Sequence, residues 1–169
     1  MGQSAFFFLE VFFVVLIGST ILGLAMLVYR ARGASANTMF ALVAASIALW
    51  IVSAFLSELQ IPKTTSLFLS RIAFASAATF ATLIYRFSFT FPVTVLVGGT
   101  SRLLRAFISS WGFVVVTLIV ATPYIIKDIK YTPWGFDIVY GPLDPLFSLF
   151  VLCVVVLVVL NLLRAYGRA

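Results

Sequence analysis

Long apolar runs separated by short polar breaks set the pattern of this chain. Five of them cover about Ala5 to Tyr29, Thr38 to Leu59, Thr65 to Phe91, Leu103 to Ile126 and Pro142 to Tyr166. About 20 apolar residues suffice for a helix to cross roughly 30 Å of hydrocarbon, so each run predicts a transmembrane span. The breaks carry the expected punctuation. Gly33 follows Arg30-Ala31-Arg32 as a C-terminal cap, and Asn37 or Thr38 caps the second span. Ile61-Pro62-Lys63 interrupts the chain before the third span, with Thr64 or Thr65 as its cap. Phe91-Pro92 and Gly98-Gly99 end the third span, and Pro142-Leu143-Asp144-Pro145 opens the fifth. Pro123, close to the end of the fourth, predicts a kink. The longest connection, residues 127–141, alternates polar and apolar positions around Pro133-Trp134-Gly135 and predicts a hairpin or folded loop. The fold class is all-α: one polytopic transmembrane bundle of five spans over residues 1–169. The start, Met1-Gly-Gln-Ser4, lacks a basic n-region, so the first run is expected to be a span and not a cleaved signal. Phe6 stands where N-myristoylation needs Ser or Thr, so Gly2 is not read as an acyl acceptor.

Composition narrows the function. The chain is 63% hydrophobic and 9% charged, where a soluble domain carries about 25% charged residues. A water-soluble enzyme or nucleic-acid-binding domain is excluded, although the net charge is +6. The basic residues punctuate the apolar runs and read as topology signals. With no histidine and the single cysteine Cys153, there is no Ser/His or Cys/His pair, no haem-ligating histidine and no thiolate cluster. No lysine lies within an apolar run, which argues against a retinal Schiff base. No enzymatic activity, metal or cofactor is expected.

Charge placement predicts the orientation. With the amino terminus outside, Arg30, Arg32, Arg86, Arg102, Arg105, Arg164 and Arg168 fall on the inner side. Lys63, Arg71, Lys127 and Lys130 fall on the outer side, together with the acids Glu10, Glu58, Asp128, Asp137 and Asp144. The positive-inside rule then puts the carboxyl terminus in the cytoplasm of a multi-pass cell-membrane protein.

Ionisable groups within spans are candidate functional sites because their burial is costly. Glu10, Glu58 and Arg71 make a candidate polar site in the outer half, with Arg71 expected to pair with Glu10 or Glu58. The competing reading is a structural ion pair, or long side chains snorkelling to the interface. Trp50, Trp111 and Trp134 are candidates for an aromatic pocket or interface; Trp134, Tyr131 and Tyr140 also suit the headgroup level. Ala73, Ala77 and Ala81, flanked by Ser66 and Ser70, form a small-residue row, and Ser19 with Gly23 a shorter one. Both are expected to serve close packing within the chain. Cys153 reads as a small apolar filler and Asn161 as a cross-helix hydrogen-bonding residue.

Three stretches together resemble one family. They are Asn37-Thr-Met-Phe-Ala-Leu42 with Ala48-Leu-Trp50, Phe87 to Pro92, and Thr132-Pro-Trp-Gly-Phe-Asp-Ile-Val-Tyr-Gly-Pro-Leu-Asp-Pro-Leu146. The set is similar to the amino-terminal seven-transmembrane sensor region of bacterial and archaeal histidine kinases. The resemblance implies a helical input module, amino terminus outside, followed by two more spans and by PAS, kinase or other output domains. It transfers no ligand-binding residues. Without a phosphoacceptor histidine or ATP motif, kinase activity does not carry over, and the chain reads as a fragment, a truncated product or a stand-alone sensor half. The expected function is a membrane sensory module of a two-component-like system, reading a small ligand or a membrane property. Its expected partners are the lipid bilayer and a kinase or other signalling protein. Rival readings are a small transporter or channel subunit and a structural membrane partner. The absence of midplane charges or Pro/Gly breaks in spans two, four and five disfavours ion-coupled transport.

Overall fold

The computed structural model describes residues 2–31, 35–59, 61–89, 110–112, 114–120, 122–132 and 135–166. Its elements are α1 (Gly2–Arg30), α2 (Ser35–Glu58), α3 (Lys63–Phe87), a short helix α4 (Ser110–Val120), β1 (Ile126–Thr132), β2 (Gly135–Tyr140) and α5 (Asp144–Tyr166). The protein is mostly helical, and α1, α2, α3 and α5 are long and apolar enough to cross a membrane. That is the composition of a membrane protein.

Four such helices are found among the described residues where five were expected. The difference lies in the fourth run. Residues 103–109 lie outside the described residues, and the described part of α4 rises about 16 Å at 1.5 Å per residue. Its last helical hydrogen bond runs from the Thr122 amide to the Leu118 carbonyl, 3.1 Å. Pro123, which has no N–H to continue the ladder, then ends the helix instead of kinking it. Ile126, expected inside the span, begins a strand. The Gly33 cap, Phe91-Pro92, Gly98-Gly99, Arg102 and Arg105 also fall outside the described residues.

The start of α3 is set by backbone and not by the side-chain cap expected of Thr64 or Thr65. α3 opens behind Pro62, whose carbonyl accepts from the amides of Thr65 (2.9 Å) and Ser66 (3.1 Å); no side-chain cap is made. Asn37 lies inside α2 and its amide donates to the Ala31 carbonyl at 2.8 Å, tying the end of α1 to the start of α2. Asp144 and Pro145 form the first turn of α5, where a proline removes no intrahelical bond.

α1, α2 and α3 form an up-down-up array. Gly18 lies beside Val52, and the Phe40 and Phe87 rings meet with centroids 6.4 Å apart, so each helix runs antiparallel to the one before it. α3 is the centre of the bundle. On one side the Ser66 hydroxyl donates to the Ser57 carbonyl of α2, and Ser70 and Ala73 continue that buried face at helical spacing. On the other side Ala75 and Ala78 cluster with Ile119, Ile125, Ile126 and Phe147, while Ala81 and Tyr85 cluster with Val154 and Val158. The expected small-residue row is therefore divided between two internal interfaces. Its members let neighbouring backbones approach closely. Where α4 crosses α3, a Cβ on Gly112 would collide with the Thr82 side chain. Ser19 and Gly23 are exposed on α1; Gly18 and Ala25 are the small residues it buries.

α5 runs parallel to α3. It leaves the hairpin at one end, and at the other the Asn161 amide donates to the Ser88 hydroxyl at 3.2 Å, the cross-helix bond expected of that residue. Cys153 is exposed, not a core filler: small side chains on a lipid-level surface need not be enclosed.

Candidate functional site

The hairpin predicted between residues 127 and 141 forms. β1 and β2 pair antiparallel, with Ile129 opposite Ile138 and Lys130 opposite Asp137. Between Ile126 and Asp128 the register shifts: Ile126 faces Tyr140 while Asp128 faces Val139. The extra residue, Lys127, makes this a β-bulge, and its consequence is visible in burial. Strict alternation would put Ile126 and Ile129 on opposite faces; the bulge turns both toward the core, leaving Lys127, Lys130 and Tyr131 exposed.

Three long-range bonds dock β1 on the α2–α3 corner. The Lys63 ammonium forms a salt bridge with Asp128, Nζ to Oδ2 2.8 Å. The Tyr131 hydroxyl donates to the Ile61 carbonyl at 2.8 Å. Deeper along α3, Arg71 Nη2 donates to the Ile126 carbonyl at 3.1 Å. The Lys63 hydrogen bond, helped by the Ile129 amide, holds the Asp128 carboxyl below the ordinary carboxylate range. β2 leads through Gly141 into α5. The Gly141 amide donates to the Ile125 carbonyl at 2.8 Å, and a Cβ there would run into the Pro123 and Tyr124 carbonyls. Only glycine permits so close a passage.

Arg71 is thus at the centre of the candidate polar site, but with a different partner from the one expected. No salt bridge among the described residues joins it to Glu10 or Glu58, both of which are exposed. α1 packs chiefly on α2, which separates Glu10 from α3, and Glu58 ends α2 on its exposed side. The guanidinium meets a backbone carbonyl instead. Its Nε is buried and has no hydrogen-bond partner among the described residues. A guanidinium offers five N–H donors in a planar fork, so Arg71 holds the hairpin while keeping a donor unused.

Among the described residues, Trp50 and Trp111 lie apart. Trp50 is exposed on α2, and Trp134 lies outside the described residues. Trp111 lines an apolar groove of about 360 Å³ between α4 and α5, together with Leu118, Leu146, Phe150 and Cys153. Sequence reasoning missed Lys63, Asp128 and Gly141 as structural partners. The alternation of residues 127–141 was the one signal that could have pointed to them. No group of three or more His, Cys, Asp or Glu able to hold a metal occurs among the described residues. Compared with known proteins, the chain matches no family model, and no curated protein or solved structure is significantly similar to it.

Proposed function

We propose that the chain is a membrane-embedded sensory module, oriented with the hairpin outside and the end of α5 in the cytoplasm. The observation that carries this reading is the bond from Arg71 to the Ile126 carbonyl. It connects a charged group within a span to the hairpin from which α5 departs. A ligand bearing a carboxylate or similar acceptor would compete for the guanidinium, loosen β1 from α3 and change the packing of α5. Such coupling requires two arrangements that the stimulus binds unequally. A kinase or other signalling protein, in the membrane or cytoplasm, would read the displaced end of α5. The charge distribution supports the orientation: Glu58, Lys63, Asp128 and Asp144 share the hairpin end, while Arg30 and Arg86 lie at the opposite end. The similarity of Thr132 to Leu146 to histidine-kinase sensor regions supports the input role.

Reporter fusions after Ala169 and at the hairpin tip test the orientation. A cytoplasmic signal from the first and an extracytoplasmic signal from the second are expected, and the reverse pair overturns the proposal. A screen of carboxylate ligands by thermal shift should then find stabilisation that Arg71→Leu abolishes and Arg86→Leu retains.

A structural partner of a larger membrane complex is the second reading, favoured by the extensive apolar exposure of α1 and α5. Assembly with a partner unaltered by any ligand would support it.

A further inference from the structure

We propose that the hairpin is a hydrated wedge set into its leaflet, its exposed strand residues facing phospholipid headgroups. On that side the water–hydrocarbon boundary lies about 15 Å deeper than it does along α1. The inference rests on the membrane-spanning character of α1 and α5 and not on the sensory reading.

Contacts between the helices fix their relative heights, with the hairpin end taken as the top. Gly18 of α1 lies beside Val52 of α2. Val52 is five residues below Ser57, whose carbonyl accepts from the Ser66 hydroxyl, and Arg71 is five residues below Ser66. Gly18, Val52 and Arg71 therefore share one level. α5 begins at that level too. Arg71 bonds to the Ile126 carbonyl, and the Leu143 amide donates to the Tyr124 carbonyl at 2.9 Å. Phe74, a turn below Arg71, meets the rings of both Tyr140 and Phe147. The far end gives the same register. Asn161 bonds to Ser88, and seventeen residues separate Asp144 from Asn161 as they separate Arg71 from Ser88.

Above this level the two sides of the protein are unlike. α1 exposes Phe8, Leu9, Phe12, Phe13 and Leu16, which reach about 15 Å above Gly18. Side chains this large and apolar belong in hydrocarbon. Glu10, about 3 Å inside that edge, reaches it by snorkelling. At the same heights on the other side stand the strands, exposing Lys127, Lys130, Tyr131 and Asp137. The sheet has two strands, so its outer edges have no strand partner among the described residues. Open sheet edges and charges do not sit against lipid tails. Apolar exposure resumes below Asp144, at Leu146, Leu149 and Leu152. Exposed Tyr124 and Tyr140 lie at the join, where amphipathic aromatics meet headgroups.

Tilt and thinning share the step. α1 packs on α2, α2 on α3 and α3 on α5, so α1 and α5 are at most three spacings of about 8–10 Å apart. The usual tilt of about 20° then accounts for about 10 Å of the step. Headgroups drawn down around the hairpin account for the rest, as local thinning does around other intramembrane charges. Arg71 is thereby reached from water alongside β1 and not from lipid.

Spin labels test the step in the full chain carrying Cys153→Ser, reconstituted in palmitoyl-oleoyl phosphatidylcholine vesicles. Asp137 stands about 10 Å above Tyr140 at 3.3 Å per strand residue, and Phe12 about 9 Å above Gly18 at 1.5 Å per helix residue. Labels at Asp137→Cys and Phe12→Cys therefore compare the two sides at similar height. Collision with a polar nickel chelate relative to oxygen should be about tenfold higher for Asp137→Cys, because hydrocarbon excludes the chelate. Leu146→Cys should match Phe12→Cys. Lys130→Cys and Phe13→Cys repeat the comparison if either of the first pair loses the parent's helix content. Equal, low ratios on both sides would bury the hairpin in hydrocarbon, and equal, high ratios would lift the start of α1 into water. Either result overturns the proposal, as does a Leu146→Cys ratio as high as that of Asp137→Cys.

Discussion

α1 and α3 are both long enough to cross a bilayer, yet they are opposites. Only 11% of the apolar window of α1 is buried, against 33% for α3. The more uniformly apolar helix is the more exposed one: Phe8, Leu16, Leu24 and Leu27 all face outward from α1. The buried surface of α3 consists of Ser66, Ser70, Ala73, Ala75, Ser76, Ala78, Ala81 and Tyr85. In water apolar residues mark the inside. Between lipid and protein there is no such hydrophobic driving force, and packing is governed by small residues and polar bonds. The serine and threonine hydroxyls of α3 fit this rule. Ser70, Ser76, Thr79 and Thr82 each donate to the carbonyl four residues earlier, at 2.8–2.9 Å, and so present no unpaired hydroxyl to the neighbouring helix.

The contrast can be broken by substitution. Ala78→Leu, at a fully buried site against Ile119 and Phe147, should cost about 1–3 kcal/mol by overpacking. Leu24→Ala on α1 should stay within about 0.5 kcal/mol, as surface changes do. Reversible unfolding in mixed micelles measures both, and equal losses would erase the distinction between the helices. Arg71→Leu removes a side-chain donor to the Ile126 carbonyl and should cost about 1–2 kcal/mol. Hydrogen exchange should localise the loss to β1 and spare α1. Tyr131→Phe deletes a bond at the exposed rim and should cost about 0.5 kcal/mol, read from the same unfolding curves.

The smallest effect is electrostatic. The folded-state Asp128 pKa is depressed, so its pairing with Lys63 contributes fully above the unfolded value of about 3.9. That contribution is lost as pH falls through the lower folded-state value. The difference in melting temperature between wild type and Asp128→Asn should therefore be constant at neutral pH, begin to shrink near about pH 4 and vanish only below the depressed folded-state value. The pair is exposed and salt-screened, so the difference itself should be small.

Much of this architecture was legible because apolar run length and turn chemistry are local. The long apolar helices of runs one, two, three and five and the strand pair lie where the pattern of residues predicts them, and Asn161 bonds across helices as its position suggested. The end of the fourth run was misplaced because apolar content alone does not register where Pro123 stops the ladder and hands the chain to β1. The Arg71 partner was illegible for a different reason. A carbonyl acceptor belongs to every residue and leaves no mark in the sequence, whereas Glu10 and Glu58 stood out as carboxylates. The bulge at Lys127 was equally hidden, since it exists only relative to the opposite strand. Lys63 and Asp128 are separated by 65 positions, and only folding brings them together.

α5 is fastened at both extremities: through Gly141 to the docked hairpin, and through Asn161 to Ser88 beyond the last turn of α3. A beam pinned at two points resists sliding but can still bow or swivel. An axial slide of about 3 Å, the rise of two residues, would pull the 3.2 Å Asn161–Ser88 contact out of bonding range. Motion passing from the strands to the far tip is thereby steered into bending or rotation, so a receiver there would sense a change of angle more readily than a change of height.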